Sequence, residues 1–173
     1  MVDITQLESS ENSVSHPNDL FNNQWNLYQK VLSNNYIRHH EFYGILHEFL
    51  VNYFQTPFSL LDLGCGDASY TAQALLNTNI ASYMGIDLSE PALEIARDNM
   101  ELIGSDKLFI QGDFFELVIE LVKKRKDSFD VILASFALHH LTLEQKDYII
   151  GQFIHLLKAN GVFLLIDTVC REG

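Results

Sequence analysis

The sequence predicts an α/β protein: a doubly wound, mostly parallel sheet with helices on both faces, preceded by a helical segment. Three observations carry that expectation. Short apolar runs alternate with amphipathic stretches after Pro57, the pattern of βαβ units. Aspartate or serine stands at the carboxyl end of each run, so polar groups collect at one rim. The first run opens into a glycine turn, Gly64-Cys65-Gly66, which suits a sharp strand-to-helix connection.

The elements follow in order. Residues 1–20 are rich in Ser, Asn and Glu and read as a leader without function. Residues 21–56 form an N-terminal helical segment. Trp25, Tyr28, Val31 and Leu32 recur at helical spacing, as do Ile37, Phe42, Ile45, Leu46, Phe49 and Leu50. They make two amphipathic helices, or one broken near Asn34-Asn35, and Gln55-Thr56-Pro57 ends them. The core is expected over 57–173. Its strands are Phe58–Leu63, Ser82–Asp87, Lys107–Gln111, Phe129–Ser135 and Val162–Asp167. Its helices include one from about Ser69 and others over 90–103, 114–124 and 143–158. Their apolar stripes are Leu93, Ala96, Met100 and Ile103; then Leu117, Val118, Leu121 and Val122; then Ile149, Ile150, Phe153, Leu156 and Leu157. Lys123 to Lys126 suit the negative end of the second of these helices. Thr142 with Gln145 makes a capping box for the third, and Asn160-Gly161 its stop.

Composition narrows the function. The 173 residues allow one domain with a real core. Lysine and arginine number 11 against 23 acids, for a formal net charge of −12. Nucleic-acid binders need a basic face, so no nucleic-acid partner is expected. Two cysteines, Cys65 and Cys170, do not make a disulfide framework. No apolar run nears the roughly 18 residues of a membrane helix, and no signal pattern opens the chain. The expectation is a cytoplasmic protein that works without a membrane.

In an open parallel sheet, ligands bind beyond the carboxyl ends of the strands, where strand order reverses. Those ends carry Asp62 and Asp67, Asp87, Asp113, Ser135 and Asp167. Asp and Gly also cap and turn, so each alone has a structural explanation. Gly64 and Gly66 admit a ligand close to the backbone, and the next helix points N–H groups there. Dinucleotide enzymes share this device but ask for a third glycine where Ser69 stands. Asp87 suits ribose hydroxyls in either class.

Together the segments resemble the class I, Rossmann-like S-adenosylmethionine-dependent methyltransferases. Leu61-Asp62-Leu63-Gly64-Cys65-Gly66-Asp67 resembles their first motif, and Gly85-Ile86-Asp87-Leu88-Ser89 the acidic loop after the second strand. Gly112-Asp113-Phe114 resembles the adenine-contacting turn, Phe129–Leu141 the fourth-strand motif, and Leu156–Asp167 the run into the fifth strand. The resemblance covers roughly residues 57–170. It implies S-adenosyl-L-methionine as cofactor, a small-molecule acceptor, and a lid formed by the N-terminal helical segment. It implies that Gly64, Cys65 and Gly66 border the methionine part. Asp62 holds the loop or reaches the methionine amino group, Asp87 binds the ribose, and Leu88 packs on the adenine. Asp113 and the Phe114 N–H meet the adenine edge, while Ser135 faces the methionine end. Apart from the resemblance, Trp25, Tyr28 and Tyr36 are candidates to roof the cofactor or touch the substrate, since an aromatic face suits a sulfonium; core packing is the plain account of most, and Tyr36, near the helix break, is the preferred exception.

Methyl transfer is an in-line displacement, so alignment does most of the work. A base is needed only where the acceptor must lose a proton. His139 and His140, after the fourth strand, are candidates for that base or for orienting the acceptor, with packing as the plain alternative. Cys65 has no base or positive charge beside it and reads as a small buried residue. In one respect the chain departs from the family, whose members usually carry two more strands after the fifth: it stops at Gly173, so the expectation is either a truncated core, inactive by itself, or a missing part that comes from elsewhere. The fifth strand then has an exposed edge, which favours a homodimer. The rival readings are an NAD(P)-dependent Rossmann oxidoreductase and a non-catalytic methyltransferase-like binding module.

Overall fold

A computed structural model describes residues 38–167. The chain divides into two compact units, Met1–His39 and His40–Gly173, and the described residues belong to the second except for Arg38 and His39. The elements are α1 (His39–Tyr53), β1 (Phe58–Leu63), α2 (Ser69–Leu75), β2 (Ile80–Asp87), α3 (Glu90–Asn99) and β3 (Asp106–Gln111). They continue with α4 (Phe114–Lys124), β4 (Phe129–Ser135), a 3₁₀ turn (Leu138–His140), α5 (Leu143–Leu156) and β5 (Leu157–Ile166). The strands form one sheet in the order β3-β2-β1-β4-β5, with every pair parallel. Strand order reverses between β1 and β4, which makes their carboxyl ends the switch point.

The alternation of side chains along the central strands explains the two-sided burial. Leu60, Tyr83, Val131 and Leu133 face one core, with Leu46 and Leu50 of α1, Leu75 of α2, and Ala96 and Met100 in and after α3. Leu61, Leu63, Met84, Ile86, Ile132 and Ala134 face the other, with Val118 and Leu121 of α4 and Ile149, Phe153 and Leu156 of α5. Strand β1 is buried along its whole length. The doubly wound parallel sheet is therefore the observed architecture.

Local chemistry accounts for the element ends. Ser89 caps α3 by accepting from the Ala92 N–H, with Pro91 in the first turn. In the capping box of α5, the Gln145 N–H donates to Thr142 Oγ1, and the Thr142 N–H donates to Gln145 Oε1. Several details differ from the sequence expectation, among them the end of α3 at Asn99 rather than 103 and the start of β2 at Ile80 rather than Ser82. Helix α5 ends at Leu156, ahead of Asn160-Gly161, and β5 starts at Leu157. Phe129 pairs with Leu157 and Val131 with Val162, so Lys158 to Gly161 bulge out of register, with Asn160 at φ 65°. The turn residues break the strand, not the helix. On α1 the inward positions are Leu46 and Leu50, with Tyr43 and Phe49 packed beside them. Ile45, expected on that face, is 65% exposed and Phe42 is 41% exposed. A helix turns about 100° per residue, so 43, 46 and 50 share a stripe that 45 leaves. Finally, Ile150 and Leu157 lie off the buried stripe of α5, which keeps Ile149, Phe153 and Leu156.

Candidate functional site

The site is built from the strand ends that the sheet brings level. Leu63 lies opposite both Ile86 and Ala134, and Asp87 lies opposite Gln111. The residues just beyond, Gly64–Gly66, Asp87, Asp113 and Ser135, therefore share one rim.

Hydrogen bonds fix these pieces to one another. The N–H groups of Gly64 and Cys65 donate to the Ile86 carbonyl at 2.8 and 3.0 Å. The Gly66 N–H donates to Asp87 Oδ2 at 2.8 Å, and the Ser89 N–H to Asp87 Oδ1 at 2.9 Å. The Gly112 N–H donates to the Asp87 carbonyl at 2.9 Å, one residue before Asp113. Asp87 thus joins the glycine turn to the β3 turn. Its carboxylate is half-buried, with one N–H on each oxygen and further lone pairs on both.

The glycine turn needs its glycines. Gly64 has φ 68° and Gly66 φ 54°, the left-handed region. A Cβ on Gly64 would stand 2.8 Å from the Ala137 Cβ, because the segment after β4 packs against the turn. A Cβ on Gly66 would meet nothing within 4 Å. Gly66 therefore borders open space, and Gly64 lies against the β4 side. Helix α2 follows without a side-chain cap on Ala68, itself at φ 51°. Asp67 Oδ1 accepts from the Ser69 N–H and Oγ at 3.1 and 2.9 Å, so the first helical N–H is already engaged rather than open to a ligand.

Asp62 lies beneath the turn and is 1% exposed. Its Oδ2 accepts from Thr71 Oγ1 at 3.0 Å and Tyr83 Oη at 2.9 Å, a loop-holding geometry. Burial pushes the Asp62 carboxyl up to about 6, the two hydroxyls pull it back, and Asp87 adds a smaller upward push. A carboxyl whose folded value lies above its unfolded value of 3.8 favours the fold below that value, and this contribution is lost as pH rises through about 6. The difference of about two units corresponds to ~3 kcal/mol. Asp62→Asn keeps one oxygen for both hydroxyls and cannot ionise. Its stability relative to wild type should rise by about 2.5 kcal/mol between pH 4 and pH 7 in urea denaturation. A difference that stays flat across that range contradicts the assignment. Cys65 is buried, and burial pushes its thiol well above the ordinary range. It is a packed residue and no nucleophile.

The remaining expected residues fall as follows. Asp113 is exposed and caps α4, its Oδ1 accepting from the Phe115 N–H at 2.8 Å. Phe114 opens that helix and is buried. Leu88 is 67% exposed beside Asp87, an apolar side chain open at the rim. Ser135 Oγ accepts from Tyr43 Oη at 2.8 Å. His139 and His140 close the 3₁₀ turn after β4, with their ring centres 4.0 Å apart. Tyr36, with Trp25 and Tyr28, lies outside the described residues, as does Cys170.

Sequence reasoning missed two aromatic residues. Tyr43 from α1 and Tyr70 from α2 meet at 5.4 Å, and His40 stands edge-on to Tyr70 at 5.3 Å. They bring an aromatic cluster to Ser135. The signal lay in the stripe itself, since Tyr43 precedes Leu46 and Leu50 at helical spacing. Among the described residues no cluster of three or more His, Cys, Asp or Glu side chains is placed to hold a metal. No described helix is long and apolar enough to cross a membrane.

Comparison with known proteins agrees with this fold. Residues 57–172 match the family described as the methyltransferase domain, and the chain belongs to that family, the class I, Rossmann-like methyltransferases. A methyltransferase of Geobacillus sp. WCH70, described as uncharacterized, is 32% identical over 113 residues, 65% of this chain and 48% of its own length. The crystal structure of YcgJ from Bacillus subtilis superposes with TM-score 0.59 at 26% identity, covering 74% of this chain and 50% of that one. A methyltransferase of Thiobacillus denitrificans, solved with S-adenosyl-L-homocysteine, has the same fold: TM-score 0.54 at 23% identity, covering 72% and 47%. The chain spans about half the length of the first relatives it matches. Family membership sets aside the nicotinamide-dependent oxidoreductase as the reading of this fold.

Proposed function

We propose that this protein binds S-adenosyl-L-methionine along the β1–β2–β3 rim and transfers its methyl group to a small molecule. The observation that carries this reading is the double tie at Asp87: one residue holds the glycine turn and the β3 turn together.

The residues present fit the group. The cofactor brings an ammonium, a carboxylate, a ribose diol, an adenine and an already activated methyl on a sulfonium. The rim offers the half-buried carboxylate of Asp87, the exposed carboxylate of Asp113, the exposed Leu88 and an open approach at Gly66. No lysine or arginine occurs in 62–69, 87–89, 111–115 or 135–139. A rim of acids and backbone matches positive groups and hydroxyls better than a pyrophosphate, which calls for cations. In this reading Asp87 accepts from the ribose hydroxyls, and Leu88 covers one adenine face. Asp113 with the Phe114 N–H reads the adenine edge. Gly64, Cys65 and Gly66 line the methionine part with Asp62 bracing them from below. Tyr43 and Tyr70 present aromatic faces beside Ser135, a favourable surround for a cation.

The acidic charge and the absence of a basic stretch at the rim favour a small acceptor over a nucleic acid. Among the described residues β5 is paired only with β4, and Leu165 on it is half exposed. The buried free thiol of Cys65 suits a reducing cytoplasm.

Isothermal calorimetry tests the proposal. S-adenosylmethionine is expected to bind with one site per chain, and NAD⁺ to give no saturable heat. Saturable NAD⁺ binding with none for S-adenosylmethionine would overturn it. Saturable binding without methyl transfer to any acceptor would favour the binding-module alternative.

A further inference from the structure

The turn after β4 carries a histidine–carboxylate pair that cofactor binding leaves without a role. His139 Nδ1 lies 2.9 Å from Asp167 Oδ1, and the His139 backbone N–H donates to Asp167 Oδ2 at 2.9 Å. We propose that His139 Nε2 receives the acceptor's proton, that Asp167 is its positioning residue, and that the acceptor is therefore a small hydroxyl compound. This rests on the methyltransferase reading above.

A carboxylate only accepts, so the hydrogen of the 2.9 Å contact belongs to Nδ1. In the neutral ring that leaves the lone pair on Nε2. The same carboxylate clasps the backbone and the ring of one residue, so the ring cannot turn away without losing its bond. The Asp167 side chain is 11% exposed and the His139 side chain 38%. The orienting group is sheltered, and the imidazole is partly open. His140 is also exposed, and among the described residues it has no carboxylate partner.

The pair stands where chemistry would occur. The Phe136 N–H donates to the Ile166 carbonyl at 2.6 Å, so the segment after β4 is tied to the end of β5 twice. The next residue, Ala137, packs against Gly64. His139 therefore projects from a segment braced against both β5 and the glycine turn.

Acceptor class follows from the need for such a pair. A neutral amine attacks through its own lone pair and sheds its proton afterwards. A hydroxyl is a weak nucleophile until its proton leaves. The Nε2 lone pair takes the hydroxyl proton, and the freed oxygen pair forms the bond to the methyl carbon. The carbon–sulfur pair stays on sulfur, which becomes a neutral thioether. The imidazolium is held opposite the Asp167 carboxylate, and its extra proton passes to water.

Nitrogen-15 spectra of histidine-labelled protein at about pH 8 decide the pairing without any acceptor. His139 is expected to carry its hydrogen on Nδ1, with Nε2 bare. Asp167→Ala should shift it towards the Nε2–H form, and Asp167→Asn provides an isosteric second variant. Tritiated methyl transfer from S-adenosylmethionine to a panel of phenols and aliphatic alcohols reads the base role. His139→Ala should lower it about 100-fold or more, with cofactor affinity unchanged within about twofold. A bare Nδ1 in the wild type, or a tautomer indifferent to both Asp167 variants, overturns the dyad. So does undiminished transfer by His139→Ala. Loss of S-adenosylmethionine binding by the wild type would instead sink the underlying methyltransferase reading, whatever the tautomer.

Discussion

Asp87→Ala should lower S-adenosylmethionine affinity by about 100-fold, or ~3 kcal/mol, in calorimetry. Two losses combine. The carboxylate that would accept from the ribose hydroxyls disappears, and charge-assisted hydrogen bonds of this kind contribute roughly 1.5–3 kcal/mol. The Gly66 and Ser89 N–H groups also lose their shared acceptor, so the turn and the start of α3 are no longer held to one point. Asp87→Asn separates the two losses, because one oxygen remains for one of the N–H groups. About tenfold weaker binding is expected of it, between wild type and alanine. Equal affinity in all three proteins would remove Asp87 from the cofactor site.

Gly64→Ala should destabilise the fold by about 2–4 kcal/mol in urea denaturation, while Gly66→Ala costs about 1 kcal/mol. Both glycines have positive φ, and a left-handed backbone costs an L-residue ~1–2 kcal/mol. Only at Gly64 does the new methyl also strike a neighbour, the Ala137 Cβ at 2.8 Å. Overpacking of that kind costs a further ~1–3 kcal/mol. The clash would push the segment after β4 away from the turn, so Gly64→Ala should also weaken cofactor binding. Gly66→Ala tests the opposite property: its Cβ points into open space, where the ligand is proposed to lie. It should reduce affinity more than stability. If the two alanine variants cost equal stability, the packing of Ala137 on Gly64 is not as described.

Much of the fold was legible because it depends on local patterns. Phe58–Leu63 and Phe129–Ser135 stand in the structure with the bounds that their apolar runs suggest. Leu93 and Ala96 point inward from α3, as a 3.6-residue period requires, and Met100 and Ile103 are buried just past its end. Where tertiary pairing decides, sequence reasoning erred. Nothing local says that β4 captures Leu157 and forces Lys158 to Gly161 to bulge. Nor does composition say which of several apolar residues on α1 faces in, because Ile45 and Leu46 are equally apolar and a single step of about 100° around the helix separates their fates. For the site, the acids at strand ends were visible as residue types. Their division of labour was not. Asp62 braces from below, Asp67 engages Ser69, and Asp167 holds His139 across a sequence gap of 28 residues. Tyr43 reaches Ser135 from 92 residues away, a partnership only the folded sheet creates.

Crystallisation of the protein with S-adenosyl-L-homocysteine is the most direct measurement. The ribose hydroxyls should lie within hydrogen-bonding distance of Asp87, the adenine between Leu88 and the Asp113-Phe114 turn, and the amino-acid end over Gly64–Gly66. Density for the ligand in any other cleft, or a ribose turned away from Asp87, would contradict the account.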